Sequence, residues 1–364
     1  TSKQCTPFAA GRIWTKMKNY FNNLLDENRE KLETMSFNSI GKVTAVATII
    51  VILLCSGLSF YWDSEPELFD VKKNQADLLA TATRQPITGS ATITAMITMA
   101  DVMLHKPGGY LSNDIAPPGI FMDNIPNWEL GVLVQLRDMA RTLRNNLSRS
   151  QSQSQEDSSL VAAENQFYFD NKKWVFPESE TEYRKGTAAL SDYLQRLGDE
   201  QQSKAQFYAR ADNLRIWLSE VETRLGNISQ KLSASVGKRQ LDTALAGDSA
   251  ANQSTLTEKE LELKTPWTEL DDVFYEARGT TWALIHLLRA VEIDFADVLE
   301  KKNATVSLQQ IIRELEPTQD RLWSPVILNG SGLGILANHS LVMASHVSRA
   351  NAALIDLRRL LEQG

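Results

Sequence analysis

From Val43 to Tyr61 the chain carries no charged residue, and the run closes on the aromatic cluster Phe60-Tyr61-Trp62. About 20 apolar residues, rising about 1.5 Å each in a helix, span roughly the 30 Å hydrocarbon layer of a bilayer. Tyr and Trp rings are apolar with a polar tip, which suits the headgroup level where such a helix ends. Residues 43–62 are therefore expected to cross a membrane, so the lipid bilayer is the first expected partner. A removable signal would be shorter and followed by small residues at a cleavage site. Here Ser56-Gly57-Leu58-Ser59 leads into bulky aromatics and then into Asp63, Glu65 and Glu67. The expected outcome is a retained anchor.

Charge on the two sides of this run sets an expected orientation. Lys42 abuts its start, and Lys3, Arg12, Lys16, Lys18, Arg29 and Lys31 precede it, whereas Asp63, Glu65, Glu67 and Asp70 follow before Lys72. Positive residues favour the cytoplasmic side, so residues 1–42 are expected inside the cell and residues 63–364 outside. Residues 1–42 carry seven Lys and Arg against four Asp and Glu, a balance of +3; with −7 for the whole chain, the remainder holds −10. An acidic body disfavours nucleic acid as a partner.

Both cysteines, Cys5 and Cys55, precede the body, which therefore has no disulfide to staple it. About 300 residues bury a sufficient core without one. A large cysteine-free body suits a bacterial periplasm, and the location expected for the chain is the bacterial inner membrane, crossed once.

The first 42 residues hold an amphipathic pattern, with Ile13, Trp14, Met17, Tyr20, Phe21, Leu24 and Leu25 on one helical face. It fits a helix lying on the inner leaflet or a lead-in resting on its neighbours. Beyond the membrane, Pro66 is placed to open a helix running to Arg84, and Ala91 to Leu104 reads as a second helix. Residues 106–127 break regular structure with Pro107-Gly108-Gly109, Pro117-Pro118-Gly119 and Pro126. A helix resumes at Trp128, with Leu130, Leu133, Val134, Leu136, Met139, Leu143 and Leu147 expected inward and Arg137, Arg141, Arg144 and Arg149 forming a cationic line. Ser148–Ser159 is low in complexity, and the aromatic patch Phe167–Pro177 is the expected place for a small hairpin.

Between Phe207 and Leu232 the residues Phe207, Leu214, Val221 and Ile228 recur every seven positions, as do Ala211, Leu218, Leu225 and Leu232. This is a coiled-coil seam, flanked by Arg215, Glu222, Arg224 and Lys231. Four heptads are few for a dimer, so pairing within the chain is the preferred expectation. A polar break at 246–256 precedes a helix from Trp267 to Leu299, and the last helix is expected from Ile335 to Leu361. The fold class expected is all-α: one N-terminal transmembrane helix, then a large helical-bundle periplasmic domain with one small hairpin. Subdivision is expected, if anywhere, near 150–180 and 246–256.

Motifs for chemistry are weak. Asn329-Gly-Ser-Gly-Leu-Gly334 would offer backbone N–H groups to an anion at a helix start, but it lacks the lysine of a phosphate-binding loop and the full dinucleotide spacing. His339 and His346 are seven apart where helical metal pairs are four apart. His286 sits in an apolar stripe, which favours a hydrogen-bonded core residue. Acidic residues are plentiful at Glu269, Asp271, Asp272, Glu292, Asp294 and Asp297, yet sequence does not give the separation that paired-carboxylate hydrolysis requires. No catalytic, cofactor or metal residue is assigned, and no cofactor is expected.

The blocks Pro107-Gly-Gly-Tyr-Leu-Ser-Asn-Asp114, Pro117-Pro-Gly119, Asp123-Asn-Ile-Pro-Asn-Trp128, Ser148–Ser154, Phe207–Leu214 and Leu232–Gly237 resemble a proteobacterial family of single-span inner-membrane proteins whose domain has no assigned function. The resemblance implies a bacterial inner-membrane protein and carries no activity or site residues. The leading expectation is a non-enzymatic structural or interaction component of a cell-envelope assembly, binding a protein partner or itself. Its expected contact surface is the Pro/Gly loop and adjoining helix, with Tyr110, Asp114, Asp123, Trp128, Arg137 and Arg141. The alternatives are a membrane-anchored hydrolase of an envelope polymer, drawing carboxylates from 128–147 and 267–299, and a periplasmic ligand sensor.

Overall fold

The computed structural model describes residues 37–81, 85–149, 155–197, 199, 205–241, 260–324, 326–331 and 335–363. The amphipathic face at Ile13–Leu25, the end of the Ser/Gln stretch at 150–154, the polar break at 246–256 and Gly332–Gly334 lie outside them. The chain divides into two compact units, residues 1–58 and residues 59–364.

Helix α1, Phe37–Trp62, contains a 22-residue stretch, Gly41–Trp62, that is long and apolar enough to cross a membrane, and none of it is buried against protein. Leu53 and Leu54 are more than half exposed. Water penalises such an apolar surface by about 25 cal/mol per Å², so an apolar covering stabilises the stretch.

Residues 59–364 fold into a helical bundle. Its helices are α2 (Val71–Thr81), α3 (Ser90–His105), α4 (Asn124–Thr142), α5 (Ser158–Phe167), α6 (Ser179–Leu197), α7 (Ala211–Ser233), α8 (Leu270–Asp294), α9 (Ala296–Lys301), α10 (Thr305–Leu315) and α11 (His339–Glu362). Pro66 does not open a helix: residues 64–70 run outside regular structure and α2 starts only at Val71. The expected helix at Ala91–Leu104 is α3. The long helix expected from Trp267 to Leu299 breaks at Phe295 into α8 and α9. The small sheet lies elsewhere than expected: Lys238–Leu241 pairs antiparallel with Glu260–Leu263. The aromatic patch is instead a turn-rich loop after α5.

α8 runs through the centre. Its residues from Ala277 to Leu288 are all buried, and it packs along α4, α3 and α10. A helix buried on every side loses its amphipathic stripe, so its polar residues must find partners inside. Thr281 Oγ1 bonds back to Ala277 O at 2.9 Å, and Arg278 and His286 bind the segment that follows α1, as described below. At its far end Asp294 accepts from the backbone N–H groups of Gly89 at 2.8 Å and Thr92 at 2.7 Å, and from the Thr92 hydroxyl at 2.7 Å. α3 begins after Gly89, which has no capping side chain, so this carboxylate serves as its cap from about 200 residues away.

The seam of α7 faces α11 of the same chain. Leu214, Leu218, Val221, Leu225, Ile228 and Leu232 are buried, as is Trp217. All four flanking charges pair within the chain: Arg215 with Glu362 at 2.9 Å, Arg224 with Asp138 at 2.7 Å, Lys231 with Glu276 at 2.9 Å, and Glu222 with Arg358. Phe207 stands off the helix, with its ring edge-on to Phe295.

Candidate functional site

The segment leaving α1 is gripped by three side chains at four-residue spacing on α8. Arg278 Nε donates to Glu65 Oε2 at 2.7 Å, Trp282 Nε1 donates to Glu67 O at 3.3 Å, and His286 Nε2 accepts from Phe69 N at 3.0 Å. Residues i, i+4 and i+8 share one helix face, and successive odd-numbered residues of an extended segment meet them in turn. Arg278 is 6% exposed and also donates to the carbonyls of Thr318 and Asp320, at 2.9 and 3.0 Å. Phe69 stacks on the His286 ring with centroids 3.8 Å apart. Residues 65–69 are thus held without slack against the centre of the body.

His286 is the core histidine expected from its stripe, in a defined tautomer. Nδ1–H donates to Trp282 O at 2.8 Å, leaving Nε2 as the acceptor. Burial pushes its pKa down to about 3 from 6.5. Between these values the unfolded chain binds a proton that the folded chain refuses, so stability falls as pH drops through that window and is unaffected above it. Asp63 and Asp272, pushed up to about 6 by burial, act in the opposite sense: folding raises their proton affinity, so acid favours the folded state between about 6 and 3.8. Comparison with a His286→Gln variant isolates the imidazole. The wild-type advantage in urea unfolding is expected to shrink by about 2 kcal/mol from about pH 7 to about pH 5.

The Pro/Gly loop is fixed from within. The Lys106 ammonium contacts both Glu129 Oε1 and Gly109 O, and the side chains of Lys106 and Glu129 are 1% and 0% exposed. Glu129 also accepts from the N–H groups of Leu111 at 2.8 Å and Ser112 at 2.9 Å. Burial pushes the Glu129 carboxyl up, and the Lys106 ammonium beside it and the bonds from Ser112 and Leu111 oppose that shift. One carboxylate on α4 therefore ties down the first turn of the loop.

Of the six expected contact residues, the structure places two in the core. Tyr110 is 4% exposed, its hydroxyl donating to Asn171 O at 3.1 Å. Trp128 is wholly buried, 5.1 Å from the Trp282 ring. Asp114 and Asp123 are exposed, and Asp123 caps α4 by accepting from Asn124 N at 3.0 Å. Arg137 donates to the carbonyls of Phe167 and Phe169, at 2.7 and 2.8 Å, satisfying the C-terminal end of α5. Arg141 lies 4.9 Å over the Tyr168 ring, and Arg144 pairs with Glu164 at 2.7 Å. The cationic line is the seat of α5.

With this geometry in place, comparison with known proteins is decisive on family. Residues 33–364 match the family DUF2333, described as an uncharacterized protein conserved in bacteria. The chain belongs to the DUF2333 family. The match agrees with the resemblance carried by the Pro/Gly blocks and covers the whole body. No curated protein and no solved structure matches the chain.

Four carboxylates of α4 and α8 of this DUF2333 chain are engaged in its packing: Glu129 with Lys106, Asp138 with Arg224, Glu276 with Lys231, and Asp294 at the start of α3. A cleft of about 200 Å³ between α8 and α11 is lined by Phe274, Arg278, Asp320, His339 and His346 among others. It brings the two spaced histidines to one place. His339 Nδ1 accepts from Leu328 N at 3.2 Å, and His346 Nδ1 contacts an Arg349 nitrogen at 2.8 Å. Among the described residues no group of three His, Cys, Asp or Glu is placed to hold a metal. The last helix, expected from Ile335, begins at His339, where the Asn338 side chain caps it by accepting from Leu341 N at 2.9 Å.

Proposed function

We propose that this DUF2333 protein is a single-span component of the bacterial inner membrane whose helical body lies in the periplasm and serves a structural, non-catalytic role in an envelope assembly, with the fixed loop as its contact element, residues 106–123 rather than the expected 106–127 because α4 already begins at Asn124. The observation that carries this reading is the grip of Arg278, Trp282 and His286 on residues 65–69, which fastens the segment following α1 to the central helix of the body. A body tethered for reach would instead favour a flexible Gly- and Ser-rich connection. The buried Lys106–Glu129 pair supports it further, since a loop held rigid on helices presents the same surface to every partner. Basic residues before Val43 and acidic ones after Trp62 support the orientation.

Two measurements test it. Protease added to intact spheroplasts is expected to digest the body while sparing the leader; a protected body beside a digested leader would sink the orientation. Crosslinkers placed at Asp114 and Asp123 of the full chain are expected to capture the assembly, whereas capture equal to that from sites on α10 would remove the loop as its contact element.

A further inference from the structure

Apart from Tyr168, which lies against Arg141 well along α4, the exposed aromatic side chains of the body are gathered at one end, the end at which residues 59–63 join it. Trp62 packs against Gly108, and Asn124 Nδ2 contacts Asp63 Oδ1 at 3.3 Å, so the loop and the start of α4 lie beside the last residue of α1. Asn127 Nδ2 donates to Asp272 at 2.7 Å, bringing the start of α8 to the same place with Trp267 five residues before it. Arg278 binds both Glu65 and the carbonyl of Asp320, three residues from Trp323. Asn113 Nδ2 donates to Lys173 O at 2.8 Å, which brings in the loop of Trp174 and Phe176.

Four elements thus deliver Phe121, Phe176, Trp267 and Trp323 to this end, at 80%, 93%, 84% and 88% exposure. The opposite end, where α8 finishes at Asp294 and α10 begins, differs. Among the described residues its exposed large apolar side chains are the aliphatics Ile216, Ile293 and Val306. α8 alone has 25 residues, which at about 1.5 Å each separates the two ends by more than 35 Å or so. Scattered apolar side chains on a surface need no explanation. Tryptophan and phenylalanine from four separate elements, confined to one end, do.

We infer that this end of the body is seated in the interfacial layer of the bilayer that α1 crosses, with Phe121, Phe176, Trp267 and Trp323 as its anchoring side chains. The inference rests on the anchored reading above and names the lipid surface as what the exposed tip of the loop meets. Covalent continuity singles out this occupant: Trp62 ends the apolar stretch, belongs to the headgroup level, and is in contact with the loop that carries Phe121. Tryptophan is the side chain most suited to that layer. Charges at this end are mixed: Asp63, Asp123 and Asp272 are acidic, whereas Arg321 lies 5.4 Å from the Trp323 ring centroid and Lys172 and Lys173 precede Trp174, so the aromatic side chains rather than a single sign of charge carry the seating.

The test uses the full chain with Cys5→Ser and Cys55→Ser, reconstituted in phosphatidylcholine–phosphatidylglycerol vesicles. Nitroxide labels are attached to Phe121→Cys, Trp323→Cys or Val306→Cys. All three sites are exposed, and circular dichroism melts verify that each variant folds as the parent does. The ratio of collision with oxygen, which partitions into lipid, to collision with a water-soluble nickel chelate is expected to be several-fold higher at residues 121 and 323 than at 306. Equal ratios at all three sites, in chains that float with the vesicles after alkaline carbonate, would overturn the seating and leave the anchor standing. Labels at 121 and 323 shielded from both reagents would overturn it in favour of a protein contact. Chains that fail to float would overturn the anchor and the seating with it.

Discussion

Replacing Glu129 by Ala is expected to lower the stability of the body by about 3–5 kcal/mol, a large part of the roughly 5–15 kcal/mol that holds a domain together. The variant leaves the Lys106 ammonium inside the protein with Gly109 O as its remaining partner, and it frees the N–H groups of Leu111 and Ser112 from their acceptor. A buried charge without its counter-charge is what makes this loss large, rather than any net attraction of the intact pair, since desolvation cancels most of the Coulomb gain. The Lys106→Met, Glu129→Gln double variant is therefore expected to lose less than the sum of the two single changes. Gln retains an acceptor for Leu111 and Ser112, and Met has no charge to strand. Chemical unfolding of the detergent-solubilised chain measures both, and the cycle isolates the pair. If Glu129→Ala proves as mild as a surface change, the pair is not the lock on the loop. Amide exchange at residues 109–112 is expected to quicken in the single variant.

The contact loop was legible in the sequence as an irregular stretch, but its lock was not. Periodicity put Leu130 inward on α4, and the structure buries Glu129 and leaves Leu130 half-exposed. A hydrophobic pattern assumes that interior positions are apolar, and an internal ion pair breaks that assumption by satisfying its own polar groups. Arg278 escaped notice in the same way. From Leu214 to Leu232 the α7 seam, by contrast, was readable, because one partner helix gives one buried stripe and its heptad spacing survives, whereas Phe207 falls before the helix begins at Ala211. The helix long and apolar enough to cross a membrane was readable because composition alone carries that signal. Pro66 misled: proline at the first turn of a helix is common, but here the segment is captured by α8 before a helix forms, and a tertiary grip overrides a local preference. Tyr110 and Trp128 were singled out because they belong to the Pro/Gly loop and the helix that adjoins it, yet the structure buries both, and position in an irregular loop does not tell which of its large aromatics turn inward.

Gly279→Ala is expected to be the most damaging single-methyl change in the body. A Cβ at Gly279 would lie 2.0 Å from Trp128 O, and one at Gly131 would lie 2.3 Å from Glu276 O and 2.6 Å from Thr280 N. Both obstacles are backbone of the opposing helix, so no rotamer change relieves them: α4 and α8 cross with their main chains touching and must move apart to admit a methyl. In an unopposed helix Gly→Ala gains about 1 kcal/mol of propensity, whereas overpacking costs about 1–3 kcal/mol and sometimes more. Here the second effect dominates, because separating these helices also disturbs Trp128 against Trp282, and beyond it the His286 and Arg278 contacts to residues 65–69. A net loss of about 2 kcal/mol, the upper end of that difference, is expected from urea unfolding. Helices already pushed apart by the first methyl accept the second with less strain, so the Gly131→Ala, Gly279→Ala double variant should lose less than the sum of the single variants. Additive losses would mean that each methyl is accommodated on its own. The same displacement should loosen the grip on Glu65–Phe69, so the Phe69 amide is expected to exchange faster in Gly279→Ala than in a core variant of equal stability loss on α7, such as Leu225→Ala. Equal exchange in the two would show that the helix crossing and the anchor attachment are independent.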